Sequence, residues 1–231
     1  IVVFFIRRGL DETLSYENVA MQAERRPSTL LNLIRHHPRE ALLVIAITAG
    51  GTASFYPYTV YMQKYLANTV GFDRATASWI MTGALTIMLF LQPVAGRVSD
   101  KVGRRPVMIF FGLCGTLFTY PLFVALEQAQ STVAAFALVL AALVMVTGYT
   151  SINAIVKAEL FPAEIRALGV ALPYAIANTI FGGTAEYVAL YLKDIGHERW
   201  FYIYISLLCL MYLIACIRMR ETKTRSLILE D

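Results

Sequence analysis

The residues most able to take part in chemistry form a charged cluster between two long apolar runs. Residues 96–106 read GRVSDKVGRRP, and five of these eleven side chains are charged. A Lys or Arg at the centre of a membrane-spanning helix costs about 2.5–3.5 kcal/mol, so we expect these residues to form a short loop at a membrane surface. Asp100 lies beside several basic residues. The chemistry predicted here is therefore ion pairing between the ends of two helices.

Polar and aromatic side chains inside the apolar runs form a second group that could bind a ligand. Lipid offers them no hydrogen-bond partner, so they are functional candidates by default. Positions four apart share one face of a helix. On this basis we assign six residues to a cavity that binds a small molecule: Tyr58, Tyr61, Tyr149, Asn153, Tyr174 and Asn178. The alternative is that each of them only forms a hydrogen bond to a neighbouring helix.

Two charges lie near the opposite ends of their apolar runs, away from the charged cluster. Lys64 and Glu186 could pair with each other as a gate. Alternatively, Lys64 could contact an anionic substrate, or its long side chain could reach the membrane surface. The sequence leaves these three roles open.

Enzyme and metal chemistry find no support in the sequence. It contains no G-x-S-x-G, H-E-x-x-H or Walker A pattern, so we expect no enzymatic activity and no cofactor. Cys114, Cys209 and Cys216 lie in apolar runs without C-x-x-C spacing, and His36 and His37 have no third ligand nearby. We therefore expect neither a disulfide framework nor a metal site.

The composition and the apolar runs indicate a membrane protein. Hydrophobic residues make up 58% of the 231 residues and charged residues 16%, with a mean hydropathy of +0.59. Six apolar stretches each hold about the 20 residues that cross a bilayer, at 41–65, 76–96, 106–126, 132–156, 167–192 and 199–218. The basic residues lie in short loops rather than on one helix face, so we expect no nucleic-acid partner. The sequence thus predicts an all-α membrane protein.

Four segments follow from this pattern. We interpret residues 1–6 as the end of a truncated transmembrane helix, 7–40 as a cytoplasmic loop, 41–218 as a six-helix bundle and 219–231 as a cytoplasmic tail. Within the loop, residues 30–34 predict a short amphipathic helix. Of the 20 Lys and Arg residues, 16 fall on the side of the loop and tail and four on the other, with Lys157 counted as a loop residue. The positive-inside rule then places the loop and the tail in the cytoplasm.

The charged cluster also resembles the signature of a known family. Its spacing fits the G-x-x-x-D-(R/K)-x-G-(R/K)-(R/K) motif of the major facilitator superfamily, and residues 159–166, ELFPAEIR, resemble that family's E-x-F-P-x-x-x-R element. The resemblance implies the C-terminal half of a twelve-helix transporter, with the end of helix six followed by helices seven to twelve. It also implies a conformational latch, formed by Gly96, Asp100, Lys101, Gly103, Arg104, Arg105, Glu159 and Arg166.

Longer stretches resemble the metabolite:proton symporters within that superfamily. They are RGLDET at 8–13, YMQKYL at 61–66, KAELFPA at 157–163 and FGGTAEYVAL at 181–190. The resemblance implies proton-coupled uptake of a small organic acid, such as the dicarboxylate 2-oxoglutarate, across the bacterial inner membrane. The implied coupling ion is a proton, and the implied partners are the organic acid, the lipid bilayer and a missing N-terminal six-helix half.

Three alternatives to this function stay open. The substrate could be another organic acid or an osmolyte such as proline or betaine, or the protein could be a membrane sensor that keeps the fold without transporting. A dicarboxylate needs a Lys or Arg partner, and we find no central one in any predicted span. We therefore expect the main carboxylate-binding cation to lie in the absent half, with Lys64 at most assisting.

Overall fold

The helices of this chain are described by a computed structural model for residues 29–223. The described residues form a short helix α1, Leu30–His36, and six long ones. The long helices are α2, Pro38–Val70; α3, Arg74–Val102; α4, Arg104–Glu127; α5, Thr132–Glu159; α6, Ala163–Asp194; and α7, Glu198–Arg218. All six are long and apolar enough to cross a membrane, which confirms the predicted fold class. The predicted helix at 1–6, the loop up to 28 and the tail from 224 lie outside the described residues.

The helix boundaries follow from local sequence signals. Asp73 caps α3, because its carboxylate accepts hydrogen bonds from the backbone N–H of Thr76 at 2.9 Å and from the Thr76 hydroxyl at 2.6 Å. These bonds favour the charged form and lower the pKa of Asp73. Gly103 separates α3 from α4 with a φ of +105°, a conformation that favours glycine. Pro162 precedes α6 and ends the helical path from α5.

The predicted loop at 96–106 is wrong in its extent. Helix α3 continues through the charged residues to Val102, and Gly103 alone connects it to α4. The 29 residues of α3 span about 43 Å, which exceeds the roughly 30 Å of hydrocarbon. An α-helix satisfies its backbone hydrogen bonds internally, so it continues into water while its charged side chains leave the lipid. We call this end of the bundle the signature end.

Three of the long helices are irregular inside the membrane. In α2 a π-helical turn covers Pro57–Tyr61, and another covers Leu66–Val70. Helix α6 has a π-helical turn at Asn178–Gly182, and α5 is interrupted between Thr150 and Asn153. The proline at position 57 lacks the N–H that a regular helix needs, which accounts for the first of these turns. Each irregular turn shifts the helical phase, so residues four apart no longer keep one face throughout.

The core of the bundle lies around α7, which packs against α4 and α2. Small residues allow close approach: a Cβ on Gly50 would lie 2.5 Å from the Leu208 carbonyl oxygen, and one on Gly115 would lie 2.7 Å from Cys209 Sγ. Towards the end opposite the signature, the Phe123 and Tyr202 rings stack with centroids 4.7 Å apart. At the signature end, α1 buries Leu33 against the first turns of α2 and α6.

Candidate functional site

Lys157 is the residue around which the candidate site is built. It lies in the last turn of α5 and is only 1% exposed. Helical side chains point towards the N-terminus of their helix, and that of Lys157 runs back into the bundle. Its Nζ donates to Asn153 Oδ1 at 3.2 Å and to the Tyr149 hydroxyl at 3.5 Å.

Two aromatic rings complete the surroundings of this ammonium group. Nζ lies 4.6 Å from the centroid of the Tyr174 ring on α6 and 5.5 Å from that of Tyr149, both within cation–π range. Within residues 29–223, Lys157 forms no ion pair with a carboxylate. We call Lys157, Tyr149, Asn153 and Tyr174 the lysine site. It holds a buried cation among neutral partners.

The neighbouring helices hold the Tyr149 ring in place. Gly51 of α2 has no Cβ, and one placed there would lie 2.2 Å from the Tyr149 Cζ. The rings of Phe111 on α4 and Tyr212 on α7 pack against it with centroids 5.8 Å and 5.9 Å away. Tyr149 is 3% exposed as a result. The inner wall of the lysine site is therefore rigid.

The other wall of the lysine site is open. Tyr174 is 39% exposed, so one side of its ring lies at the surface of this six-helix bundle. Asn153 is half-buried, and its Nδ2 donates to the Thr150 carbonyl at 3.2 Å, which turns its Oδ1 towards Lys157. Tyr174 and Asn153 are therefore the members of the lysine site that reach the surface of this bundle, whereas Lys157 itself is 1% exposed.

The structure corrects the assignment of Lys157 to a loop. Lys157 belongs to a membrane-spanning helix and is buried inside the bundle, so it does not count as a basic loop residue. The nearby Glu159 and Pro162 suggested that the helix had already ended, although α5 runs to Glu159. The sequence did contain a usable signal, because Lys157 is four residues after Asn153 and eight after Tyr149.

The structure separates the six predicted cavity residues into two groups. Tyr149, Asn153 and Tyr174 meet at Lys157, and Asn178 lies one turn beyond Tyr174 on α6, half-buried and without a side-chain hydrogen bond to residues 29–223. The two tyrosines of α2 contact other helices. Tyr58 is fully buried, with its hydroxyl 2.5 Å from Thr119 Oγ1 of α4. Tyr61 packs its ring 5.9 Å from that of Phe201 on α7.

Lys64 and Glu186 form an ion pair at the end opposite the signature. The pair joins α2 to α6, and the two side chains are 53% and 35% exposed. An exposed pair of this kind contributes about 0–1 kcal/mol to stability. Its contact is therefore weak enough to open and close, and its role as a gate stays a prediction.

Arg104 is the centre of the charge network at the signature end. Its Nη1 donates to the Asp100 carboxylate and, at 3.2 Å, to Ser99 Oγ. Its Nε lies 3.7 Å from Glu159 Oε1, as an ion pair without a hydrogen bond. The side chains of Arg104 and Glu159 are 11% and 6% exposed. This network joins α3, α4 and α5.

The segment after α7 adds partners that sequence reasoning missed. Glu221 caps α4, because its two carboxylate oxygens accept hydrogen bonds from the backbone N–H groups of Arg104 at 2.8 Å and Arg105 at 3.1 Å. A Cβ on Gly103 would lie 2.6 Å from Glu221 Oε2, so the glycine makes room for this cap. Thr222 Oγ1 donates to Glu159 Oε2 at 2.5 Å. A short polar tail offers no sequence signal for these contacts.

The remaining predicted latch residues have separate surroundings. Arg105 donates from Nε to the Cys216 carbonyl at 3.3 Å, near the end of α7. Arg166 donates from Nε to the Phe161 carbonyl at 3.2 Å. The Lys101 carbonyl accepts from Lys223 Nζ at 3.3 Å, and Gly96 lies inside α3 with open space where a Cβ would point. Residues 29–223 contain no group of three or more His, Cys, Asp and Glu side chains that could hold a metal ion.

Comparisons with known proteins agree with this architecture. Residues 3–230 match the model of the Major Facilitator Superfamily. The chain is 46% identical over 224 residues to the alpha-ketoglutarate permease of Escherichia coli, which covers 96% of this chain and 51% of that protein. It is 30% identical over 203 residues to an ectoine/proline transporter of Corynebacterium glutamicum, which covers 83% of this chain and 40% of that protein. The chain spans about half the length of the curated relatives it matches. No match was found among solved structures.

Proposed function

The chain belongs to the Major Facilitator Superfamily, a family of transporters rather than enzymes, and from that premise we propose that it is the C-terminal half of a proton-coupled symporter. The proposed substrate is a small organic acid, with the dicarboxylate 2-oxoglutarate first. The proposed location is the bacterial inner membrane. The relative named alpha-ketoglutarate permease supports this choice, since 96% of the chain aligns with it.

The observation that carries the proposal is the unpaired ammonium group of Lys157. Burying a charge without a counter-charge costs several kcal/mol, so a buried cation favours an anionic ligand. The carboxylate of an organic acid supplies the missing negative charge and can accept a charge-assisted hydrogen bond. Lys157 is therefore proposed to bind one carboxylate of the substrate, with Asn153 and Tyr174 beside it. The second carboxylate needs a further cation, which we assign to the other half of the carrier.

The open side of the lysine site supports a cavity between two halves. Transporters of this type rock two repeats about a binding site that lies between them. Tyr174 and Asn178 are only partly buried in this half, and they follow one another on α6. We propose that they and the lysine site line the cavity, while Tyr58 and Tyr61 hold α2 against α4 and α7. The N-terminal six-helix half and the lipid bilayer are the proposed partners.

The two charged groups at the ends of the bundle are proposed to control access to this cavity. The Arg104 network with Asp100, Glu159 and Glu221 would act as the latch at the signature end. Lys64 and Glu186 would act as the gate at the other end. A coupling of about 1–3 kcal/mol between two states is sufficient for such control.

The experiment that tests the function is uptake of radiolabelled 2-oxoglutarate by the full-length protein in proteoliposomes. We expect an inward proton gradient to accelerate uptake and unlabelled dicarboxylates to compete. An uptake rate that is the same with and without the gradient would contradict the symport proposal. Preference for proline or betaine would favour an osmolyte symporter, which the 30% identity to an ectoine/proline transporter makes the second candidate. Absence of any transport would favour a membrane sensor.

A labelling experiment tests the proposed orientation, with the signature end in the cytoplasm. Gly71, Gly103 and Gly196 are unsuitable as labelling positions, because their positive φ values would strain a cysteine placed there. Glu164 and Gln130 are exposed, at the signature end and the opposite end. We expect a membrane-impermeant maleimide to label Gln130→Cys in intact cells and Glu164→Cys only after permeabilisation.

The unsubstituted protein is the control for this labelling; within this chain the three cysteines lie in the spans, and two of them are buried. Labelling of Glu164→Cys from outside, together with protection of Gln130→Cys, would reverse the orientation.

A further inference from the structure

The lysine site has the form of an aromatic cage that the protein itself has filled. The ammonium group of Lys157 lies over the Tyr174 ring, 4.6 Å from its centroid, and beside the hydroxyl edge of the Tyr149 ring, 5.5 Å from that centroid and 3.5 Å from the hydroxyl oxygen. Facing aromatic rings are also the usual means by which proteins bind quaternary ammonium groups such as choline. The protein's own cation and such a ligand would therefore compete for the same aromatic surface, chiefly the face of Tyr174.

We propose that Lys157 determines substrate charge by occupying this aromatic surface, so that the site accepts carboxylates and excludes zwitterions that carry a trimethylammonium group. This inference rests on the proposed transport function and adds its specificity. The positive end of glycine betaine would have to displace Lys157 or lie beside it. Displacing Lys157 loses the cation–π contacts that it makes, and binding beside Lys157 places two like charges together.

The geometry makes Lys157 hard to displace. The side chain is 1% exposed and is held by the hydrogen bond to Asn153 Oδ1 at 3.2 Å. Because it is tethered to α5, its effective concentration at the rings is on the order of millimolar or higher. A free cation with the same affinity for the rings must therefore be present above this concentration to displace Lys157. An anion meets no such competition, since it binds the ammonium group itself.

Two substitutions of Lys157 separate the roles of its charge and its volume. Lys157→Ala removes Cγ, Cδ, Cε and Nζ, the same number of heavy atoms as a trimethylammonium group holds. Lys157→Met removes the charge but keeps a side chain of similar length against the Tyr174 ring. Both variants should lose affinity for 2-oxoglutarate. Only the alanine variant should open the cage to a new cation.

The test measures binding of glycine betaine and of 3,3-dimethylbutanoate to the purified full-length carrier. The second compound has the shape of betaine, but carbon replaces its charged nitrogen. We expect Lys157→Ala to bind betaine at least about 10-fold more tightly than the wild type and the methionine variant do, and in preference to 3,3-dimethylbutanoate. Adding Tyr174→Leu to Lys157→Ala should reverse the gain.

The outcomes distinguish this inference from the proposed function. If the wild type binds no dicarboxylate, the proposed function fails. If it does bind, and folded Lys157→Ala shows no gain for betaine, the specificity inference fails while the function stands. Equal gains for betaine and 3,3-dimethylbutanoate would also overturn the inference, because they would show a void and not a cation–π cage. A thermal unfolding scan of each variant establishes that it is folded.

Discussion

Lys157→Met should lower the affinity of the full-length carrier for 2-oxoglutarate by about 30-fold or more. The reason is the loss of the buried cation that we assign to one substrate carboxylate. The neutral methionine leaves that carboxylate with Asn153 and the tyrosine hydroxyls alone. Removing one partner of a desolvated charge pair costs about 2–5 kcal/mol, more than the loss of a neutral hydrogen bond. Equilibrium binding of radiolabelled 2-oxoglutarate to purified protein measures this change directly.

Lys193→Met is the matched control for this experiment. Lys193 is half-buried and, like Lys157, has neutral partners, since its Nζ donates to Thr69 Oγ1 at 2.6 Å and to the Asn68 carbonyl at 3.0 Å. It lies near the opposite end of the bundle, in the last turn of α6. We expect its substitution to change affinity by less than about 3-fold, because both of its hydrogen-bond partners lie on α2 and none belongs to the lysine site. Similar losses in both variants, or normal affinity in Lys157→Met, would remove Lys157 from the binding site.

Arg104→Met should lower the free energy of unfolding by about 3–5 kcal/mol. The substitution leaves Glu159, which is 6% exposed, with the Thr222 hydroxyl as its described side-chain partner. A buried carboxylate without a cation is costly, and Ser99 also loses a hydrogen-bond donor. Reversible denaturation in detergent micelles measures the change.

Two variants separate the buried pair from the exposed one. Arg104→Met combined with Glu159→Gln should regain more than half of the lost stability, because no buried unpaired charge remains. Asp100→Asn should cost less than about 1 kcal/mol, since the Asp100 side chain is 63% exposed and solvent screens its charge. If the double variant is as unstable as Arg104→Met, the ion pair between Arg104 and Glu159 does not account for the effect.

Sequence reasoning was reliable for the parts of this protein that depend on local composition. All six predicted spans occur as helices, because hydropathy over about 20 residues is a property of each segment by itself. The family was also recognisable, since Gly96, Asp100, Gly103 and Arg104 form a motif within one short stretch of the chain. The end of α3 was misjudged. Charged side chains show where the lipid ends, whereas the helix ends only where Gly103 takes a positive φ.

The candidate site was only partly predictable, because its members come from different helices. Tyr149, Asn153 and Tyr174 were selected as polar residues in apolar runs, but their helical phase could not show that they meet at one point. Tyr58 shared the same pattern and instead bonds to Thr119 of α4. Helical phase specifies a face of one helix, and the packing of the bundle decides which neighbour that face contacts.

The sequence by itself determined the membrane class, the six spans, the family and the presence of a charged motif. The tertiary structure alone decided that Lys157 points back into the bundle and that Glu221 caps α4, 117 residues earlier in the chain. The physical reason is the range of the forces involved. Partition into lipid and helix formation act on each segment separately, whereas the buried charge of Lys157 acquires its role from the side chains that α5 and α6 bring to it.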